Sequence, residues 1–148
     1  MAQQATEQNY ANHRRLVPLF HGVLTLLALL VLVGSATLLY RTFQAGNGRL
    51  AAGCIFLLVV IAVLEGYFLR EFALKAQDRA IRAEENLRHY ALHGRLLDPR
   101  LTIRQIIGLR FACDEELGPL AQRAAEEGLS EDAIKKSVRS WRGDQYRV

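Results

Sequence analysis

Two ionisable side chains, His21 and Glu65, stand inside stretches of the chain that are otherwise apolar. An imidazole or a carboxylate in hydrocarbon is costly, and by default it marks a functional site or an internal pair. If the two apolar stretches run antiparallel, both residues lie a few positions inside the same end, at comparable depth. His21 and Glu65 are therefore a candidate polar pair in the membrane. The alternatives are that Glu65 reaches Arg14 or Arg15, or simply extends its carboxylate to the headgroups. A second pair, His89 and His93, has the spacing of two metal ligands on one helical face. No Cys or third His lies nearby and Gly94 follows, so these read as exposed surface histidines. The sequence holds no Gly-rich phosphate loop, no CxxC pair, no HExxH and no nucleophile elbow. No catalytic residue, cofactor or metal is expected, and the chain reads as a non-enzyme. Cys54 lies in an apolar segment and Cys113 in a charged one, so both read as structural thiols rather than a disulfide.

The elements that carry these residues follow from charge segregation. The composition, 51% hydrophobic and 23% charged, resembles that of an ordinary globular protein. Charge, however, is almost absent over residues 16–69 and dense over residues 70–148, whereas a soluble core interleaves polar residues with a helical or strand period. A helix needs about 20 apolar residues to cross the hydrocarbon core. Residues 16–40 are uncharged and end in Tyr40 and Arg41, an aromatic at interface depth and then a cation. Residues 50–69 form a second span whose only charge is Glu65. Between them, residues 41–49 contain a cluster of turn formers suited to a helical hairpin. A cleaved signal peptide is disfavoured, because the first run is long for a signal core and a second span follows directly. Residues 1–15 read as a polar lead. Six Lys or Arg residues flank the end carrying both termini, against two in the loop. That asymmetry predicts a multi-pass protein with both termini cytoplasmic. The net charge of +4 fits attraction to anionic headgroups.

Residues 70–93 are expected to continue span two as a long amphipathic stalk. Ala73, Ala76, Ala80, Ala83, Leu87 and Tyr90 recur at alternating steps of three and four, a candidate self-association face. The alternative is that the stalk packs on the chain's own C-terminal module. Glu71 with Lys75, Asp78 with Arg82, and Glu84 with Arg88 are spaced for ion pairs four apart. After a break at Gly94, residues 95–148 predict a small three-helix cytosolic module. Thr102 and Gln105 have capping-box spacing, Asp114 can cap the second helix, Pro119 falls near its start and Gly128 ends it. Ser130 caps the third, whose buried face would be Ile134, Val138 and Trp141. So small a core is marginal alone and predicts docking against the stalk or another subunit. Lys135, Lys136 and Arg139 after Gly128-Leu129-Ser130 look like half of a helix-turn-helix, but the neighbouring acids are poor company for phosphates, so nucleic acid is disfavoured.

Several strings together resemble a bacterial family of small two-span membrane proteins known only as a domain of unknown function. They are Gln8-Asn9-Tyr10-Ala11-Asn12-His13-Arg14-Arg15 with Pro18-Leu19-Phe20-His21, then Phe72-Ala73-Leu74-Lys75, Gln77-Asp78-Arg79-Ala80-Ile81-Arg82 and Glu84-Glu85. Leu109-Arg110-Phe111-Ala112, Asp114-Glu115-Glu116-Leu117, Ile134-Lys135-Lys136, and the ending from Trp141-Arg142 to Arg147-Val148 complete the set. The resemblance implies the hairpin-plus-tail architecture and no activity. The expectation is thus an all-α, non-enzymatic scaffold or adaptor of the bacterial inner membrane. Its partners would be the lipid bilayer and either a second copy through the stalk or an unknown protein. The alternatives are a component of a transport complex with a polar site at His21 and Glu65, and a membrane-tethered nucleic-acid binder.

Overall fold

The computed structural model describes residues 8–12 and 17–143. The first seven residues of the polar lead, the stretch 13–16 that holds Arg14 and Arg15, and the last five residues of the C-terminal module lie outside the described residues. Five α-helices account for the fold, with no strand among the described residues: α1 (Thr25–Ala45), α2 (Arg49–His93), α3 (Ile103–Leu109), α4 (Asp114–Glu127) and α5 (Glu131–Ser137). A π-helical segment, Leu19–Leu24, leads into α1. It follows Pro18, whose missing N–H is no loss at a helix start, where the first donors have no intrahelical partner.

The chain divides into two compact units, Leu16–Leu74 and Lys75–Val148, the latter taking in the N-terminal segment. In the first, two helices are long and apolar enough to cross a membrane. The connection between them is shorter than the nine-residue linker expected at residues 41–49. Nothing from Arg41 to Ala45 breaks a helix, so α1 runs on to Gly46, whose φ of 80° supplies the left-handed cap, and Gly48 (φ 68°) completes the turn. Along α1, Ala28, Leu32, Ser35, Leu39 and Thr42 lose exposure in steps of four and three; on α2, Ala52, Gly53, Phe56, Val59 and Val60 do so. Ser35 and Ala52 are the most covered, at 5% and 2% exposure. An arginine lies over a phenylalanine at each end: Arg49 over Phe43 at 5.5 Å, and Arg70 over Phe20 at 5.6 Å. Most of the remaining apolar side chains of these helices face outward.

In the second unit the core gathers Ile81 from α2, Leu97 and Leu101 from the following loop, and Ile106, Leu109, Leu117, Ala124 and Ile134 from α3, α4 and α5. The stalk from Lys75 onward is thus a wall of the module rather than a separate body. Gly94, with φ 68°, ends α2 and turns the chain. Thr102 and Gln105 form the reciprocal capping box at α3. Gln105, itself buried, donates from Nε2 to the carbonyls of Ala124 (2.9 Å) and Leu129 (3.0 Å), and so ties the start of α3 to the end of α4. Gly128 in the left-handed region closes α4, and the Ser130 hydroxyl accepts from Ala133 N–H to open α5.

Three local expectations are corrected. Cys113, not Asp114, holds the N-cap position of α4, without a side-chain cap bond, because the Asp114 carboxylate is drawn to Arg88. Pro119 sits well inside α4 rather than at its start. Trp141 does not lie on α5. The helix ends at Ser137, Val138 turns extended, and Trp141 pairs with Ala112 in a short antiparallel bridge whose bonds run from Cys113 N–H to Ser140 (3.1 Å) and from Arg142 N–H to Phe111 (2.8 Å). The indole thereby reaches Phe111, ring centres 4.9 Å apart.

Candidate functional site: the uncovered face of the long helix

Helix periodicity sorts the residues of α2 in the second unit onto two faces. Ile81, Glu85 and His89, four apart, are buried at 7%, 5% and 5% exposure. Ala76, Ala80, Ala83, Leu87 and Tyr90 are all exposed, as is Ala73 one turn earlier on the same helix. Leu87 and Tyr90 keep 68% and 55% of their surface. Counted as a heptad with Ala73, Ala80 and Leu87 at a and Ala76, Ala83 and Tyr90 at d, the buried residues fall at b (Ile81), c (His89) and f (Glu85). The expected stripe is therefore not the face that packs on the chain's own module. The opposite face does so.

That packing is held by a polar cluster that the spacing rules misplaced. Arg88 does not pair with Glu84. Its Nη1 donates to Glu85 at 3.0 Å, its Nε and Nη2 to one oxygen of Asp114 at 2.8 and 2.6 Å, and Nη2 also to the Ala112 carbonyl at 2.8 Å. Arg142 approaches Glu85 from the far side at 3.7 Å. Glu85 was overlooked because an acid three before an arginine is as good a partner as one four before it. The Arg88 guanidinium, through its hydrogen bond and then its charge, holds the Asp114 carboxyl below the usual carboxylate range. A further contact brings the N-terminal segment to α5: the Tyr10 hydroxyl donates to Asp132 at 2.5 Å, and the Lys136 ammonium lies 5.4 Å from the Tyr10 ring centre.

His21 and Glu65, expected as a pair, are not brought together. His21 Nδ1 lies 3.2 Å from the Val17 nitrogen and 3.1 Å from the Val17 carbonyl oxygen, and its ring meets Phe20 edge-on. At a helix start, unsatisfied backbone groups one turn away are a nearer partner than a side chain on another helix. Glu65 is exposed. Arg14 and Arg15, its other expected partners, lie outside the described residues. His89 and His93 are likewise not two surface side chains: His89 is buried with Nδ1 2.7 Å from the Arg95 carbonyl, and its ring centre is 4.5 Å from that of His93. A shallow cavity of about 290 Å³ opens beside His89, between Pro99, Arg100, Gly118 and Gln122. Among the described residues no three His, Cys, Asp or Glu side chains are placed to hold a metal ion. On α5, Lys135 and Lys136 are tied to Glu131 (2.6 Å) and Asp132 (2.7 Å), each one turn earlier.

These features define an all-helical protein with two helices apolar enough to span a membrane and a compact helical module. The chain belongs to the family described as a Family of unknown function (DUF6526), whose model matches residues 2–148. No curated protein and no solved structure gives a significant match.

Proposed function

We propose that this chain is a non-enzymatic adaptor of the bacterial inner membrane, anchored by a two-helix hairpin, whose module engages a protein partner or a second copy through the exposed face of α2. The carrying observation is the exposure of the whole stripe from Ala73 to Tyr90 while the module covers the other side of the same helix. The spacing of the two Arg–Phe contacts supports the anchor. Arg49 and Arg70 lie about 21 residues apart, roughly 31 Å of helix, close to the hydrocarbon thickness of about 30 Å. The Tyr10–Asp132 contact supports termini on one side of the bilayer, because the N-terminal segment and α5 must share a compartment to meet. The Lys and Arg asymmetry makes that side the cytoplasm.

The test of the surface is site-specific photo-crosslinking in cells from position 83, with position 82 as the control. An adduct from 83 and none from 82 is expected; equal labelling, or none at either, removes the reading. The test of the anchor is thiol labelling of intact cells with a membrane-impermeant reagent after Cys54→Ala and Cys113→Ser. Asn47→Cys should react and Gly143→Cys should not.

A polar intramembrane site is the second reading, favoured by Glu65, which has no hydrogen bond or ion pair among the described residues and sits little more than one turn inside Arg70. A carboxylate at that depth is costly alone, and another chain could complete the pair. Glu65→Gln should then abolish recovery of that chain in mild detergent; unchanged recovery removes the reading. Nucleic-acid binding draws no support, since both α5 lysines are paired with acids.

A further inference from the structure

We propose that the occupant of the α2 face is a second copy of this chain, lying parallel and in register. The inference rests on the reading of that face as an interaction surface and adds the partner, its direction and its alignment.

The face has the composition of a coiled-coil seam that widens along its length. Its a and d layers are Ala73, Ala76, Ala80 and Ala83, then Leu87 and Tyr90, all exposed. Alanine layers allow close axial approach, and the larger pair fills the space where the helices diverge. The fully buried α2 residues of the module, Ile81, His89 and Glu85, lie at b, c and f, the side of a heptad that faces away from a dimer seam, and the module reaches the seam's flank where Asn86, at g, accepts from the Leu97 N–H at 3.2 Å. A second copy can therefore be seated without displacing the module's core.

Charge decides the direction. The seam's flanking positions are g (Phe72, Arg79, Asn86) and e (Gln77, Glu84, Ala91). In a parallel, in-register dimer each g residue faces the e residue five positions later on the other chain, so Arg79 meets Glu84 of the other copy, and two-fold symmetry repeats the contact. In an antiparallel pairing of the same layers, g faces g and e faces e. Arg79 then meets Asn86 and Glu84 meets Gln77, with no opposite charges together. Both Arg79 and Glu84 are exposed, and neither is in an ion pair among the described residues. Anchoring both copies in one bilayer with the same orientation imposes the parallel direction independently.

The experiment uses the full chain with Cys54→Ala and Cys113→Ser, reconstituted in phosphatidylcholine vesicles. Oxidative crosslinking of Ala80→Cys and Ala83→Cys should trap a dimer, and Arg82→Cys should not. Arg79→Glu or Glu84→Arg alone should weaken dimerisation about five-fold, since each creates two like-charge contacts, and the double reversal should restore it. If dimers form but the double reversal fails to restore them, the parallel register is overturned while the surface stands. If the protein is monomeric while position 83 captures another protein in cells, the second copy is overturned and the surface again stands. Monomers with no capture at all overturn both.

Discussion

Arg88 grips Asp114 through one carboxylate oxygen, with Nε and Nη2 both donating to it. The same guanidinium closes on the buried carboxylate of Glu85, whose side chain is only 7% exposed. Arg88→Ala would leave Glu85 buried with the Arg142 guanidinium, 3.7 Å away, beside it. Breaking one half of a buried pair costs about 3–5 kcal/mol. The expected result is a large drop in the thermal midpoint of the module in detergent. Glu85→Met with Arg88→Leu should lose much less, because both charges leave together.

Two glycines should respond oppositely to alanine. A Cβ on Gly108 would lie 3.1 Å from the Glu131 carbonyl and 3.1 Å from Ile134 Cγ2, against the backbone and a fully buried side chain. Gly108→Ala should destabilise by about 1–3 kcal/mol through overpacking between α3 and α5. On Gly118 the nearest atom is His93 Nε2, at 2.8 Å, the far end of an exposed side chain that can swing aside. Gly118→Ala combined with His93→Ala removes that clash and recovers up to about 1 kcal/mol of helix propensity. Denaturant midpoints of the variants give both signs.

Acid should loosen the module before it touches the apolar helices. The side-chain hydrogen bonds of Arg100, and then its backbone N–H, hold the Asp98 carboxyl down to about 2, and Arg88 and Lys136 lower Asp114 and Asp132. A carboxylate depressed in the folded state stabilises fully above its unfolded value, and that contribution is lost as pH falls through the folded one. Stability measured by thermal circular dichroism should therefore be flat above about pH 5 and decline between about pH 4 and 2. Asp98→Asn should make that decline shallower; an unchanged slope would count against the Asp98–Arg100 pair.

The N-terminal segment should be held to the module by Tyr10. Tyr10→Phe removes the hydroxyl that reaches Asp132 but keeps the ring beside Lys136. Limited proteolysis near residues 8–12 should accelerate in Tyr10→Phe and accelerate further in Tyr10→Ala. Equal rates in all three would rule out the contact in solution.

Local signals in the chain were readable because their causes are local. Gly94 and Gly128 end helices since only glycine enters the left-handed region freely, and Thr102 with Gln105 declares its box by spacing alone. The alanine stripe was also visible as a period. Which side of α2 the module would choose was not, because that depends on Ile81 joining a core drawn from α3, α4 and α5 and on Glu85 meeting Arg142, far along the chain. The same holds for Trp141, whose place is set by a bridge to Ala112, and for Asp114, which left its capping role for an arginine 26 residues earlier. His21 and Glu65 were the opposite case: two conspicuous residues at matching depth, yet the imidazole is satisfied within its own turn.

The turn of Gly46, Asn47 and Gly48 is all that separates the two apolar helices. In a bilayer, a protease or an antibody arriving from that side would find three residues, two of them without side chains. On the anchor proposed above, the chain would therefore be nearly invisible from the turn's compartment, and the epitopes and cleavage points of the described module would belong to the other.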